Sequence, residues 1–459
     1  MKVKEFIQEV KSGNIDTEEY ITKVIEEAKK INQDYNYFNK IIEEPIVNKN
    51  GKIASLPISV KDCICVKDVE SSAGSKIIKN YIPLFNATCV QNAINEGGVV
   101  IGKTSQDEFG FGGFNVNVGI DFKIPLNPFD KERVTGGSSG GAAGYTQKTK
   151  YAHIAIAEST GGSIVNPASF CGVVGLCPTY GLVSRYGLID YANSLDKIGV
   201  IAKNVEDAAL GLDIIKGYDK NDSTSAKNNF QLTNFLGKDI KGIKIGVIKE
   251  SLNVDKPVKK AVENSIDKLE KLGAKVKNIS LPLTNKYGIA CYYLIAMTEA
   301  STNLAKYCGI RYGLEEDLGK NFNEYFSDVR SKGFGKEAKR RIILGTFARM
   351  AGFRDAYYLK AAKVRTLIIE EYKKALKNFD ILLSPTMPMI APKFSDILKL
   401  TPLQNYMMDI LTVGPNLAGL PHISIPCGFE KNMPIGLMLI ANHFDEGKLI
   451  QTADAYERK

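Results

Sequence analysis

The sequence predicts an α/β protein, and two observations carry that reading. Short apolar runs of strand character alternate with helix-length amphipathic segments: KIGVIKE (244–250), then Val258, Val262, Ile266, Leu269 and Leu272 on one helical face ended by Gly273, then AKVKNISLP (274–282). The 459 residues, 44% hydrophobic and 24% charged, are enough to bury a large core, as two or three domains or as one unusually large α/β unit. No internal repeat or low-complexity tail interrupts the rhythm.

Composition narrows the class. A net charge of +9 suits an anionic partner such as RNA, or simply a basic solvated surface. Eight cysteines without a C-x-x-C spacing and only three histidines leave a His/Cys metal site few ligands, so no metal is expected. The same cysteine pattern points to a reducing cytoplasm. The N-terminus has no apolar signal core, and no window of about 18 residues is apolar and uncharged, so neither a secretion signal nor a membrane span is expected.

Taken in order, Asp16 with Glu19 is a possible capping pair for a helix whose face carries Ile21, Val24, Ile25, Ala28 and Ile31. The region to about residue 50 is therefore expected to be helical. IASLPISVKDCICV (53–66) reads as a β element in which Lys61 stands among Ile58, Val60, Ile64 and Val66. A charged head there needs solvent, with Asp62 as a simple surface partner, or a function. ATCVQNAINEGGVVIGKTSQDEF (87–109) is a helix, a glycine turn and a strand, and HIAIA (153–157) is a buried strand. VEDAALGLDIIKG (205–217) is helical, and DKNDSTSAKNN (219–229) is an exposed connection. A helical insertion is expected from about 283 to 375, with Arg340 and Arg341 beside an apolar run as a charged surface or an anion clamp. FDILLSPTMPMIAP (379–392), PHISIPCGF (421–429) and PIGLMLIA (434–441) supply further strands before a final helix.

The stretch richest in possible chemistry is Arg133 to Ser184. It holds GGSSGG at 136–141 and TGGS at 160–163, and such glycine density argues for backbone that passes close to something or adopts positive φ. The first cluster lacks the Gly-Lys-Ser/Thr end of a phosphate loop, and FGFGGFNVNVG (109–119) lacks the context of a dinucleotide fingerprint, so ATP binding by this chain is not expected. Serine hydrolysis through histidine is poorly supported as well, because Ser163 has no G-x-S-x-G frame. A neutral lysine can replace histidine as the base, and Lys61 is the candidate.

Three motifs together, Gly136-Gly137-Ser138-Ser139-Gly140-Gly141, Thr160-Gly161-Gly162-Ser163 and Phe170-Cys171-Gly172 through Gly175 to Pro178-Thr179, resemble the amidase signature family. The similarity extends over LPISVKD, residues 336–372 and the C-terminal PHISIPCGF and PIGL segments. It implies one large domain over 1–459 around a central mixed, twisted β-sheet covered by helices. It also implies that Ser163 is the nucleophile, Ser138 a bridging serine after a cis peptide, and neutral Lys61 the base. Backbone N–H groups of Thr160, Gly161 and Gly162 would face the oxyanion.

Within the family the chain is most similar to the glutamine-hydrolysing A subunits of tRNA-dependent amidotransferases, through SQDEFGFGGFNVNVG, PTYGLVSRYGLIDYANSLDKIG, KRRIILGTF and DILTVGPNLAGLPHISIPCGF. That similarity implies that Arg341 holds the α-carboxylate of glutamine and Asp409 its α-amine. It implies ammonia delivery to a B subunit that uses ATP and Mg²⁺ on charged tRNA, a small C subunit, and no cofactor bound by this chain. A free-standing amidase for small or acyl amides, and a noncatalytic assembly subunit, are the alternatives. Two departures from the family stand out. Ser159 and Val165 replace an acid and an arginine, either supporting the loop by hydrogen bonds and packing or leaving it less rigid. Cys177 replaces a basic residue, and a buried structural thiol is expected there.

Overall fold

The computed structural model describes all 459 residues, Met1–Lys459. Eleven strands form its sheet: β1 Phe38–Ile41, β2 Pro57–Lys61, β3 Val99–Thr104, β4 Ile154–Ser159, β5 Val174–Cys177, β6 Lys197–Ala202, β7 Lys244–Ile248, β8 Lys275–Ile279, β9 Ile381–Pro385, β10 His422–Glu430 and β11 Met433–Ala441. Across the sheet they lie in the order β1-β3-β2-β4-β6-β5-β10-β11-β9-β7-β8. β2 is parallel to β3 and β4, and β7 is parallel to β8 and β9. The remaining pairings are antiparallel, so the sheet is mixed.

β2, β3, β4 and β6 bury every residue. A strand with no solvated face must be covered on both sides, which explains why these runs do not alternate apolar with polar. Val205–Ile215 packs on β5 and β6, and the glycine-rich helix Gly140–Lys148 packs on β2, β4 and β6. A single cluster of 95 buried apolar residues runs from Val3 to Tyr456, so the two ends of the chain share one core.

The N-terminal helices are Val3–Lys11 and Thr17–Tyr35. Asp16 caps the second by accepting from the N–H groups of Glu18 and Glu19, while the Glu19 side chain pairs outward with Lys23 instead of closing a box. β1 falls within the stretch expected to be helical. This four-residue strand sits at the sheet edge and is held by antiparallel pairing with β3, a support its own short pattern does not announce. Between β8 and β9 lie the long helices Pro282–Asn303, Phe322–Gly333, Lys336–Arg349 and Lys360–Leu376. The first packs on both the third and the fourth. No helix is long and apolar enough to cross a membrane.

Candidate active site

Three adjacent parallel strands, β3, β2 and β4, end on the same side of the sheet, and each delivers one part of the site. This is the general position for ligands in open α/β sheets. Lys61 is the last residue of β2. β3 leads into the loop 105–117, and β4 ends in Glu158-Ser159 before the Thr160–Ser163 turn. The β2–β4 register pairs Ser59 with Ala155 and Val60 with Ile156, which places Lys61 near the end of β4.

Lys61 is fully buried, and its Nζ donates to Ser138 Oγ at 2.7 Å, to the Glu158 carbonyl at 2.9 Å and to Glu158 Oε2 at 2.9 Å. The simple surface pair with Asp62 does not form. Asp62 is itself buried and accepts from Asn39, the Ser72 hydroxyl and the Gly74 N–H. The Gly137–Ser138 peptide bond is cis. Ser139 joins the two serine loops, its N–H donating to the Ser163 carbonyl at 3.2 Å and its hydroxyl to the Glu158 carbonyl at 3.1 Å. Ser163 is 6% exposed. The two serine loops thus meet through backbone, with no hydrogen bond between the hydroxyls of Ser138 and Ser163.

Around the turn, Gly162 N–H donates to Ser159 Oγ at 3.2 Å, so the neutral residue at 159 supports the loop by hydrogen bonding. Val165 is fully buried and contributes packing. The N–H groups of Thr160 and Gly161 donate to no backbone carbonyl. Gly161 passes so close to Tyr292 that a Cβ there would lie 2.5 Å from the phenol oxygen. The Thr160 hydroxyl lies 2.8 Å from both Glu158 Oε1 and Asp196 Oδ1. Asp196 Oδ2 accepts from the N–H groups of Tyr191 and Ala192. Burial first, and then the charge of Glu158, pushes the Asp196 carboxyl well above its ordinary range.

Arg341 and Asp409 face the same small cavity as Ser163, together with Gly161, Gly162, Tyr292 and Tyr293. Arg341 donates from Nε to Glu337 Oε1 at 2.9 Å and from Nη1 to the Tyr191 hydroxyl. Its guanidinium lies over the rings of Phe111, Tyr191, Tyr293 and Tyr406, at 5.0–5.6 Å from their centroids. Arg340 is 33% exposed and binds the other oxygen of Glu337, which separates the neighbouring arginines: Arg341 points into the protein and Arg340 braces its partner. Asp409 accepts from the Tyr293 hydroxyl at 2.6 Å and from Asn166 Nδ2 at 3.0 Å. Burial pushes its carboxyl up to about 6.

Sequence reasoning did not single out Glu158, Asp196 or Asp107. Glu158 could have been found by the signal that marked Lys61, a charge at the end of an apolar strand. Asp107 accepts from the N–H groups of Asn115 and Asn117 and folds the 107–117 loop back against Ser138. Nothing local in SQDEF announces that. Cys177 is buried, and desolvation raises its thiol, as a structural cysteine requires. The buried His153 binds Ser59 and Thr146, away from the serines, and burial lowers its ring to about 3.

A mixed sheet that presents a buried lysine–serine contact beside a glycine-framed serine defines an amide-cleaving enzyme class, and the family model "Amidase" matches residues 2–450. The chain belongs to the amidase family. The A subunit of glutamyl-tRNA(Gln) amidotransferase from Persephonella marina is 44% identical over 463 aligned positions, covering 99% of this chain and 93% of the relative. The solved protein of the same name from Thermotoga maritima has a TM-score of 0.84 at 36% identity, over 100% of this chain and 94% of that one. A bacterial aryl acylamidase of 20% identity shares the fold, with a TM-score of 0.84 over 100% of this chain and 96% of its own.

Proposed function

We propose that this chain is the glutamine-hydrolysing subunit of a glutamyl-tRNA(Gln) amidotransferase, releasing ammonia for a partner. The observation that carries the reading is the pairing of opposite charges around Ser163. A buried guanidinium and a buried carboxylate share its cavity, which suits the α-carboxylate and α-ammonium of a free amino acid and is superfluous for a simple acyl amide. Arg341 and Asp409 then hold glutamine by its amino-acid end, and its carboxamide reaches Ser163.

Ser163 Oγ attacks the carboxamide carbon while its proton moves to Ser138 and from there towards Lys61. The N–H groups of Thr160, Gly161 and Gly162 serve the oxyanion, with that of Gly162 turned towards Ser159 at rest. Aimed donors of this kind are worth about 3 kcal/mol each. The proton returns to the departing ammonia, and water, activated by the same groups, releases glutamate from the acyl-enzyme. The partners in this reading are a B subunit, which uses ATP and Mg²⁺ to turn Glu-tRNA(Gln) into Gln-tRNA(Gln) in the cytoplasm, and a small C subunit. Charged tRNA is handled mainly by the B subunit.

The test is ammonia release from glutamine by the complex of this chain with B and C subunits, with Glu-tRNA(Gln) and ATP present. Release that depends on Ser163 and on the partners is expected. Hydrolysis of simple amides by the isolated chain, with glutamine ignored, would replace the reading with a free-standing amidase.

A further inference from the structure

One face of the helical region between β8 and β9 is left without a partner. The helices Pro282–Asn303 and Lys336–Arg349, the turn at Asp355–Leu359 and the short helix Pro402–Tyr406 frame a groove of about 330 Å³ in which every lining residue is hydrophobic. The first helix presents Ile289, Tyr293 and Met297, and the second Leu344, Phe347 and Ala348, each set on one helical face. Leu344 is 44% exposed, Phe347 42% and Leu403 65%. Phe353 packs on Phe347 with ring centroids 4.4 Å apart and carries the patch beyond the groove. An apolar patch that is both concave and contiguous marks an interaction surface.

The rim of this groove is basic. Lys286 stands one turn before Ile289 and Ala290, Arg349 follows Ala348, and Arg354 and Lys360 lie one turn to either side of Tyr357; all four are exposed. Between Ala338 and Ile369 the only acid is Asp355. The helix Lys336–Arg349 makes its ion pairs through Glu337, to Arg340 and Arg341, and none of the four rim cations has a carboxylate within reach. A groove between two helices is filled by a third, whose apolar anchors at helical spacing match the floor. The rim asks for carboxylates beside those anchors. A second copy of this chain would set the same cations against each other, and a flat bilayer cannot fill a concave floor.

The floor also reaches the substrate cavity. Tyr293 and Tyr406 line the groove with rings stacked 4.2 Å apart. The Tyr293 hydroxyl donates to Asp409 Oδ2 at 2.6 Å, and the Tyr406 hydroxyl donates at 2.9 Å to Glu337 Oε1, the oxygen that also accepts from Arg341 Nε. Whatever covers these rings fixes the hydroxyls that hold Asp409 and Arg341.

We propose that the groove seats an acidic amphipathic helix of the partner subunits, and that its occupancy tightens glutamine binding through Tyr293 and Tyr406. This rests on the reading of the chain as one subunit of an amidotransferase. The experiment titrates the full-length chain with a purified B–C subunit pair by calorimetry, and measures the Kd for glutamine in a Ser163→Ala background with and without the pair. In Leu344→Glu/Phe347→Glu the affinity for the pair is expected to fall about 100-fold or more, and in Arg349→Glu/Arg354→Glu about 10-fold with a weaker salt dependence. The saturating pair should lower the Kd for glutamine about 10-fold. Tyr406→Phe should bind the pair as wild type does and lose that gain. A benzophenone at position 347 should crosslink to a helix of the pair that carries Asp or Glu beside its apolar face.

Affinity within about 3-fold of wild type in both double variants overturns the proposal. So does a crosslink to a basic or extended segment or to a second copy of this chain, a glutamine Kd that the pair leaves unchanged, or a Tyr406→Phe chain that keeps the full gain. If the unaltered chain binds no pair, or no glutamine, the amidotransferase reading fails instead. Should Leu344→Glu/Phe347→Glu not fold, the charge reversal and the crosslink decide.

Discussion

Replacing Lys61 with methionine isolates the energetics of the buried pair. The variant keeps the stem of the side chain and removes the charge, leaving Glu158 with no cation within salt-bridge reach and 4% of its side chain exposed. Breaking a buried pair from one side costs about 3–5 kcal/mol, because the surviving charge has lost both water and partner. Urea denaturation of both chains at pH 7 measures the difference. A loss of about 3–5 kcal/mol is expected, with Lys61→Met/Glu158→Gln recovering most of it. A loss below about 1 kcal/mol would refute the desolvated ion pair.

Three further outcomes follow from the same geometry. Gly161→Ala brings a methyl to 2.5 Å from the Tyr292 oxygen, so the turn must shift; ammonia release should fall by about 100-fold with the cooperative unfolding transition retained. In the proposed reading Asp409 holds the α-ammonium of glutamine, which needs the ionised carboxylate; burial raises that carboxyl to about 6, so KM for glutamine should rise as pH falls through about 6. In Asp409→Asn, KM should be raised at every pH and that acid limb lost. Glu108 accepts from Ser75 and from the N–H of Gly335 at the start of the Arg341 helix, and burial raises it to about 7. Its raised pKa lowers stability as pH climbs through the interval from its unfolded value to about 7. Glu108→Gln should therefore gain on wild type over that interval, by at most about 3.4 kcal/mol in denaturant titrations at pH 8.

What the sequence determined by itself was whatever is written locally or in spacing. Buried runs such as HIAIA and IGVI are legible because a strand covered on both faces is predominantly apolar, and the Asp16 cap because its acceptor lies two and three residues from its donors. The serine clusters and Lys61 were legible as chemistry because glycine density and a charge inside an apolar strand are costly anywhere else. Tertiary structure decided the partners. Lys61 and Glu158 are 97 residues apart, and only the parallel pairing of β2 with β4 puts both at one strand end. The same pairing turned Asp62 away from Lys61 and towards Ser72 and Gly74. Arg341 differs from Arg340 only in which side of a helix meets the helix carrying Tyr293, and Asp409 acquires its raised carboxyl only by burial beside that tyrosine. Proximity across the sheet and loss of water are properties of the packed chain, and in a protein whose site is built from the ends of three strands they assign each charged side chain its partner.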